Sequence, residues 1–191
     1  LIHMTYVDTG RRNKVTENWA FLIEPEEMLA ERVDGLVVKN DELSMRHMRP
    51  EQFDVAALFH YMIGNPDYSV AGRHNMKILG LDEFGSKGYT PVPYDFDYTG
   101  LVDAYYAVPG ENLGITSVRQ RYCLGLCREA SEYQTAIDHI QNLRGEILEE
   151  VQNLPYLSDN HKKDMINYLE AYFESAAKPG FIRSNLRTTC R

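Results

Sequence analysis

The chain has 191 residues, 43% hydrophobic and 25% charged, a globular composition that excludes wholesale disorder and a collagen-like fibre. Its 28 acids against 20 bases give a formal charge of -8, which argues against non-specific nucleic-acid binding. No apolar run approaches the roughly 18 residues of a membrane helix, so no membrane span is expected. The length suits one domain or a large part of one. The chain opens on Leu1 with no leader-like pattern, as expected where a leader has been removed or where the chain is a piece of something longer.

The elements divide near residue 116. Before it, short apolar runs alternate with turns; after it, the pattern is mostly helical. Met4 to Asp8 is rich in β-formers, Thr9 to Asn13 reads as a turn, and Trp19 to Glu24 is the returning apolar run, stopped by Pro25. Pro25-Glu26-Glu27 then opens a helix to about Val33, with proline and two acids in the first turn. A second helix opens at Arg49-Pro50-Glu51 and ends at Gly64-Asn65-Pro66-Asp67. It is apolar nearly all round, so deep burial is expected. Met76 to Leu81 predicts a strand, Asp82 to Gly88 a hairpin loop, and Tyr89 to Phe96 the partner strand. Pro91 and Pro93 make that partner an edge or irregular strand. Helices are predicted over Ser117 to Gly125, Glu129 to about Val151, and Ser158 to about Ala176. Ser158 and Asp159 supply an N-cap signal for the last.

Three cysteines cannot all pair within one chain. Cys123 and Cys127 stand four apart, a helical spacing, and no second pair of zinc ligands accompanies them. Buried free thiols are the expectation. The basic pairs Arg11 with Arg12 and Lys162 with Lys163 read as solvated surface.

Chemistry concentrates in one stretch. The buried helix ends in Asn65-Pro66-Asp67, a polar loop ends in Arg73-His74-Asn75, and the second strand ends in Tyr94-Asp95-Phe96-Asp97. This order brings Asp67, Asn75, Asp95 and Asp97 to one end of a hairpin packed on the helix. Converging oxygen ligands of this kind suit Mg²⁺ or Mn²⁺ and leave coordination positions for phosphate oxygens. Asp95 and Asp97 alternate along a predicted strand, so they should share a face with Phe96 on the other. Two like charges on one face repel unless a cation lies between them. Tyr61, Tyr68, Tyr89, Tyr94 and Tyr98 fall around the stretch and read either as core edges or as a stacking platform.

These residues resemble the catalytic centre of atypical protein-kinase-like enzymes, most closely the CotH-like spore-coat kinases and the HipA-like kinases, and more distantly the phosphatidylinositol kinases. Asn65-Pro66-Asp67 with Asn75 is similar to the catalytic loop of that superfamily. Tyr94-Asp95-Phe96-Asp97 is similar to its metal-binding strand end, with Asp97 where the family's Asp-Phe-Gly pattern has glycine. The resemblance implies an α+β, protein-kinase-like fold. A small antiparallel sheet region, a partial small lobe and its connecting segment over 1–40, would precede a mainly helical catalytic-type lobe over 41–191. It implies ATP with Mg²⁺ or Mn²⁺, an unknown hydroxyl acceptor, Asp67 as the catalytic-loop acid, and Asn75, Asp95 and Asp97 as metal ligands. His74 would position the loop, and the backbone of Ile23 and Glu24 would face the nucleotide. The sequence departs from the pattern in two ways. Asn75 follows Asp67 by eight residues, where the usual loop takes about five. No Gly-rich loop with its lysine can be placed, since Lys14 and Lys39 lie in turn-like contexts. The alternative is therefore a non-catalytic kinase-fold binding module with an acidic cation or nucleotide pocket. A carboxylate-metal hydrolase is a third reading, disfavoured by the lack of metal-ligand histidines.

Overall fold

The computed structural model describes residues 1–10, 14–40, 42–82 and 85–191. The predicted turn residues Arg11, Arg12 and Asn13, and Glu83 and Phe84 of the predicted hairpin loop, lie outside the described residues. Among the described residues the architecture is mixed α+β with two small antiparallel sheets.

Strands β1 (Ile2–Val7) and β2 (Val15–Ala20) pair from Ile2 opposite Ala20 to Val7 opposite Val15. The hairpin stands largely exposed on both faces. Trp19 anchors it, packing on Tyr156 at 4.4 Å and on His3 at 5.0 Å between ring centroids. Helix α1 (Glu26–Arg32) starts after Pro25 with two acids in its first turn, as the sequence predicts. It buries Leu29 and Ala30 against Leu79 and the half-buried Val37 and Val92. The second sheet has the order β3-β4-β5, with β3 at Leu36–Val37, β4 at Met76–Gly80 and β5 at Tyr89–Pro93. By pairing with β4, β3 ties the 1–40 segment to the later part of the chain.

Helix α2 (Pro50–Ile63) carries proline in its first turn and stops on Gly64 in the left-handed region, φ 67°. Both of its sides are buried, which explains a helix apolar nearly all round. Phe53 and Ala57 face a cluster with Val70, Met76 and Ile78 of the sheet side. Leu58, Tyr61 and Met62 face the helical side, with Ile137, Leu169 and Phe173. That side consists of α3 (Ala130–Asn142), α4 (Arg144–Asn153) and α5 (Asp159–Ala176). The Ser158 side chain accepts a hydrogen bond from the His161 N–H, as its N-cap position predicts. The single helix expected over Glu129 to Val151 is two helices, broken at Leu143 (φ -89°, ψ 1°), and Val151 returns to the core beyond the break.

The helix predicted over Ser117 to Gly125 does not form. Its backbone and side chains find distant partners instead. Arg119 Nη1 donates to the Gly100 carbonyl at 3.0 Å and pairs with Asp164 at 2.7 Å. Arg121 donates to the carbonyls of Met62 and Tyr168 at 3.0 and 2.6 Å, and Cys123 N–H donates to Thr189 Oγ1 at 3.1 Å. Tertiary hydrogen bonds here outweigh a weak helical propensity. The cysteine expectation is also corrected: Cys127 is disulfide-bonded to Cys190, and Cys123 alone is a buried free thiol. Backbone bonds from Arg191 N–H to the Gly125 carbonyl and from Cys127 N–H to the Arg191 carbonyl, both 2.9 Å, flank the disulfide.

The segment after Asp97 docks on the end of α2. Gly100 N–H donates to the Gly64 carbonyl at 2.9 Å and Leu101 N–H to the Ile63 carbonyl at 3.0 Å. A Cβ at Gly100 would overlap the Val118 carbonyl oxygen and lie 2.5 Å from the Tyr168 hydroxyl. Gly100→Ala should therefore cost about 1–3 kcal/mol, lowering Tm by roughly 2–10 °C. An unchanged melting curve would remove this close approach from the account.

Candidate functional site

The Asp67 arm is built from the end of α2. Gly64 reverses the chain, and Asn65 N–H closes on the His60 carbonyl at 2.8 Å. The Asn65 side chain is buried at 2% exposure. Its Oδ1 accepts from the Asp67 N–H at 2.9 Å, and its Nδ2 lies 3.1 Å from His60 Nδ1. Asn65 thus caps the turn that presents Asp67.

The eight-residue step from Asp67 to Asn75 does not separate the two. Ser69 and His74 exchange backbone hydrogen bonds of 3.0 Å in each direction, so the additional residues form a closed turn. Asn75 Nδ2 then donates to the Asp67 carboxylate at 3.0 Å and to its carbonyl at 2.9 Å. His74 Nε2 lies 3.1 Å from the other carboxylate oxygen. With its amide nitrogen committed to Asp67, Asn75 offers Oδ1 as a further acceptor.

The second arm follows β5, and here the sequence reading is corrected. The strand ends at Pro93, and Asp95 takes φ 59°, so Asp95 and Asp97 do not alternate along a strand. Tyr94 N–H still donates to the Asn75 carbonyl at 3.1 Å, tying this arm to the first. Asp97 accepts from the Tyr106 hydroxyl at 3.0 Å. Burial holds the Asp95 carboxyl above its ordinary value. The negative charge and carboxyl hydrogen bond of Asp97 push the same way, as does the charge of Asp67, while the Asp97 backbone opposes them. Asp97 and Asp67 therefore both act on Asp95, which links the two arms. Arg73, Asn75 and Asp95 all have φ between 47° and 59°, as do Asp34 and Asp103 elsewhere, a left-handed conformation that Asn and Asp tolerate best after glycine. Such outliers concentrate at functional sites.

Phe96, between the two acids, turns inward. Its ring lies 5.7 Å from Phe59 and 6.2 Å from His60. His60 in turn stacks on Tyr68 at 3.9 Å, with 12° between planes. Glu24 is held by a two-point ion pair to Arg32 (3.0 and 2.8 Å), and its carbonyl accepts from Lys77 Nζ at 3.2 Å. That connects the Ile23–Glu24 segment to the strand leaving Asn75, while the Ile23 side chain is exposed. Of the tyrosines, Tyr61 belongs instead to the helical side, bonded to Asn185 at 3.2 Å. Sequence reasoning gave no role to Lys77 or His60. Lys77 is hidden as a polar position in a strand, and His60 as one member of an apolar helix.

Among the described residues, no group of three or more His, Cys, Asp or Glu side chains converges to hold a metal ion. The donor types present are nonetheless those that a hard divalent cation of the Mg²⁺ class takes. Such ions take one or two carboxylates and complete their shell with water and phosphate, and Asp95, Asp97 and Asn75 Oδ1 supply oxygens only. Comparison with protein-family models, curated proteins and solved structures finds no match to this chain.

Proposed function

We propose that this chain carries a kinase-like site for ATP-dependent phosphoryl transfer to a hydroxyl acceptor, with Mg²⁺ or Mn²⁺. The observation that carries the reading is the acidic pair Asp95–Asp97 beside Asp67, where the charges acting on Asp95 are themselves negative. A pair of carboxylates held this way is unfavourable without a cation and becomes favourable with one. Asp95 and Asp97, with Asn75 Oδ1, would hold the ion. When bound, the ion would neutralise phosphate charge and align the nucleotide. Asp67 would orient the acceptor hydroxyl and take its proton at the carboxylate. Asn75 and His74 hold that carboxylate in place, and the backbone of Ile23 and Glu24 would border the nucleotide base. Catalysis on this plan is positioning and charge neutralisation, with little covalent work for the protein.

A second reading keeps an acidic cation or nucleotide pocket without turnover, as a non-catalytic kinase-fold module. It is favoured by Lys77, the lysine nearest the site in sequence, being bonded to the Glu24 carbonyl. Calorimetric titration of Mn²⁺-ATP into the chain tests the part both readings share. Saturable binding that requires Mn²⁺ is expected; its absence rejects the first reading, and absence of binding with Mn²⁺ alone and ATP alone as well rejects the second. Transfer of labelled phosphate to protein or added hydroxyl compounds separates the first reading from the second.

A further inference from the structure

His60 is 1% exposed, and burial takes its pKa down to about 3, so the ring is neutral. Its surroundings are aromatic: Phe59, Tyr68 and Phe96. A neutral imidazole carries polar nitrogens that an apolar side chain of similar size would not bury. One nitrogen has a defined partner. Asn65 Oδ1 accepts from the Asp67 N–H, so the amide group facing His60 Nδ1 is Nδ2, which only donates. His60 Nδ1 is therefore the acceptor, and the ring proton sits on Nε2. A flipped Asn65 would set its NH₂ against the Asp67 N–H, two donors facing each other. His60 Nδ1 thereby supports, from the opposite end of the amide, the Asn65 orientation that the Asp67 N–H requires, and Asn65 in turn holds the Asp67 backbone. The Asp67 carboxylate is held in turn by Asn75 and His74. Phe96, the residue between Asp95 and Asp97, lies tilted beside the same ring, 6.2 Å between centroids.

We propose that His60 is a positioning residue that registers both acidic arms against the end of α2, setting Asp67 through Asn65 and Asp95–Asp97 through Phe96. The functional half of this proposal rests on reading the site as a divalent-nucleotide centre. The relay itself does not, and the test separates them.

Three proteins are compared: wild type, His60→Phe, which keeps the stack on Tyr68 but accepts no hydrogen bond, and His60→Gln, whose Oε1 can accept from Asn65. The first readout is amide hydrogen exchange by NMR. In His60→Phe the Asp67 amide should exchange about tenfold faster than in wild type, the scale of one lost hydrogen bond, while the Leu169 and Tyr172 amides of α5 keep their protection. His60→Gln should restore protection at Asp67. An Asp67 amide equally protected in all three proteins overturns the relay. The second readout is Mn²⁺-ATP affinity, expected to fall about tenfold in His60→Phe and to recover in His60→Gln. Wild-type affinity in His60→Phe, with wild-type binding present, overturns the positioning role. If wild type itself binds no Mn²⁺-ATP, the site reading and the functional half fall together, and the exchange data still decide the relay. Should His60→Phe not fold, ¹⁵N spectra of wild-type histidines decide it: His60 protonated at Nε2 supports the relay, and a proton on Nδ1 overturns it.

Discussion

Asp95→Asn is expected to abolish metal-dependent nucleotide binding while the metal-free protein melts no lower than wild type. The two halves have one cause. The Asp95 carboxyl is held above its ordinary value of 3.8, first by burial and then by Asp97 and Asp67. Between the ordinary and the raised value, the folded state binds more protons than the unfolded state. Stability therefore falls as pH rises through that window, and above it the ionised group is a standing penalty. Asparagine removes the charge and the penalty together. A bound cation reverses the sign, since it turns the repulsion into attraction. Wild type should accordingly gain thermal stability on adding Mn²⁺-ATP, by linkage, and Asp95→Asn should not. We expect the loss of affinity to exceed about a hundredfold, or about 2.7 kcal/mol. Acidification should weaken wild-type binding, because protons compete with the metal for the same oxygens. Melting curves in EDTA and in Mn²⁺-ATP, with calorimetry on both proteins, check each part. Equal binding by wild type and variant would sink the metal assignment of Asp95. A variant that melts well below wild type in EDTA would mean that Asp95 is a stabilising structural residue.

Much of the scaffold that carries this site is local chemistry, and so it was legible. Proline at the start of α2 and glycine past its end bound the helix because each acts on its own residue's φ or N–H. Ser158 is legible because its side chain reaches an N–H only three residues on, that of His161. The grouping of Asp67 with Asn75 could also be foreseen from a helix end, a loop and a strand. What the residues could not reveal was how the longer loop is absorbed. That depends on Ser69 and His74 pairing across a turn, which leaves no periodic signal.

The misses share a different property: their determinants are far away in sequence or opposed to local preference. Ser117 to Gly125 has apolar spacing compatible with a helix, yet Arg119 and Arg121 spend their guanidinium groups on Gly100, Met62 and Tyr168. Nothing within the segment announces those acceptors. Asp95 follows a strand pattern but adopts a left-handed backbone, and the next residue, Phe96, turns inward against Phe59 and His60 from distant sequence. The protein-kinase-like classification stays a proposal for the same kind of reason. The acids and their geometry support it, while a small two-stranded hairpin and a three-stranded sheet are compatible with many α+β folds.

Loss of the Cys127–Cys190 bond should be the most damaging single change away from the acidic arms. The bond closes a loop of 63 residues in sequence separation, so its removal should cost about 2–4 kcal/mol, or a Tm lower by roughly 5–15 °C. The loop contains α3, α4 and α5. At its ends the disulfide holds Cys127 beside the strand-like exchange of Arg191 with Gly125 and Cys127. Upstream on the same segment, Arg119 and Arg121 brace Gly100 and the Met62 carbonyl at the end of α2. The staple therefore supports the ground on which both arms of the site stand, without touching either. Cys190→Ser and Cys127→Ser should destabilise equally, and the double variant no more than either alone, because each removes the same bond. Reductant should lower the wild-type Tm toward theirs and leave theirs unchanged. Unfolded wild type prepared under oxidising conditions, where such a bond persists, should titrate as one thiol, Cys123, and as three after reduction. Three thiols before reduction, or additive losses in the double variant, would show that Cys127 and Cys190 stabilise the fold only as separate buried side chains.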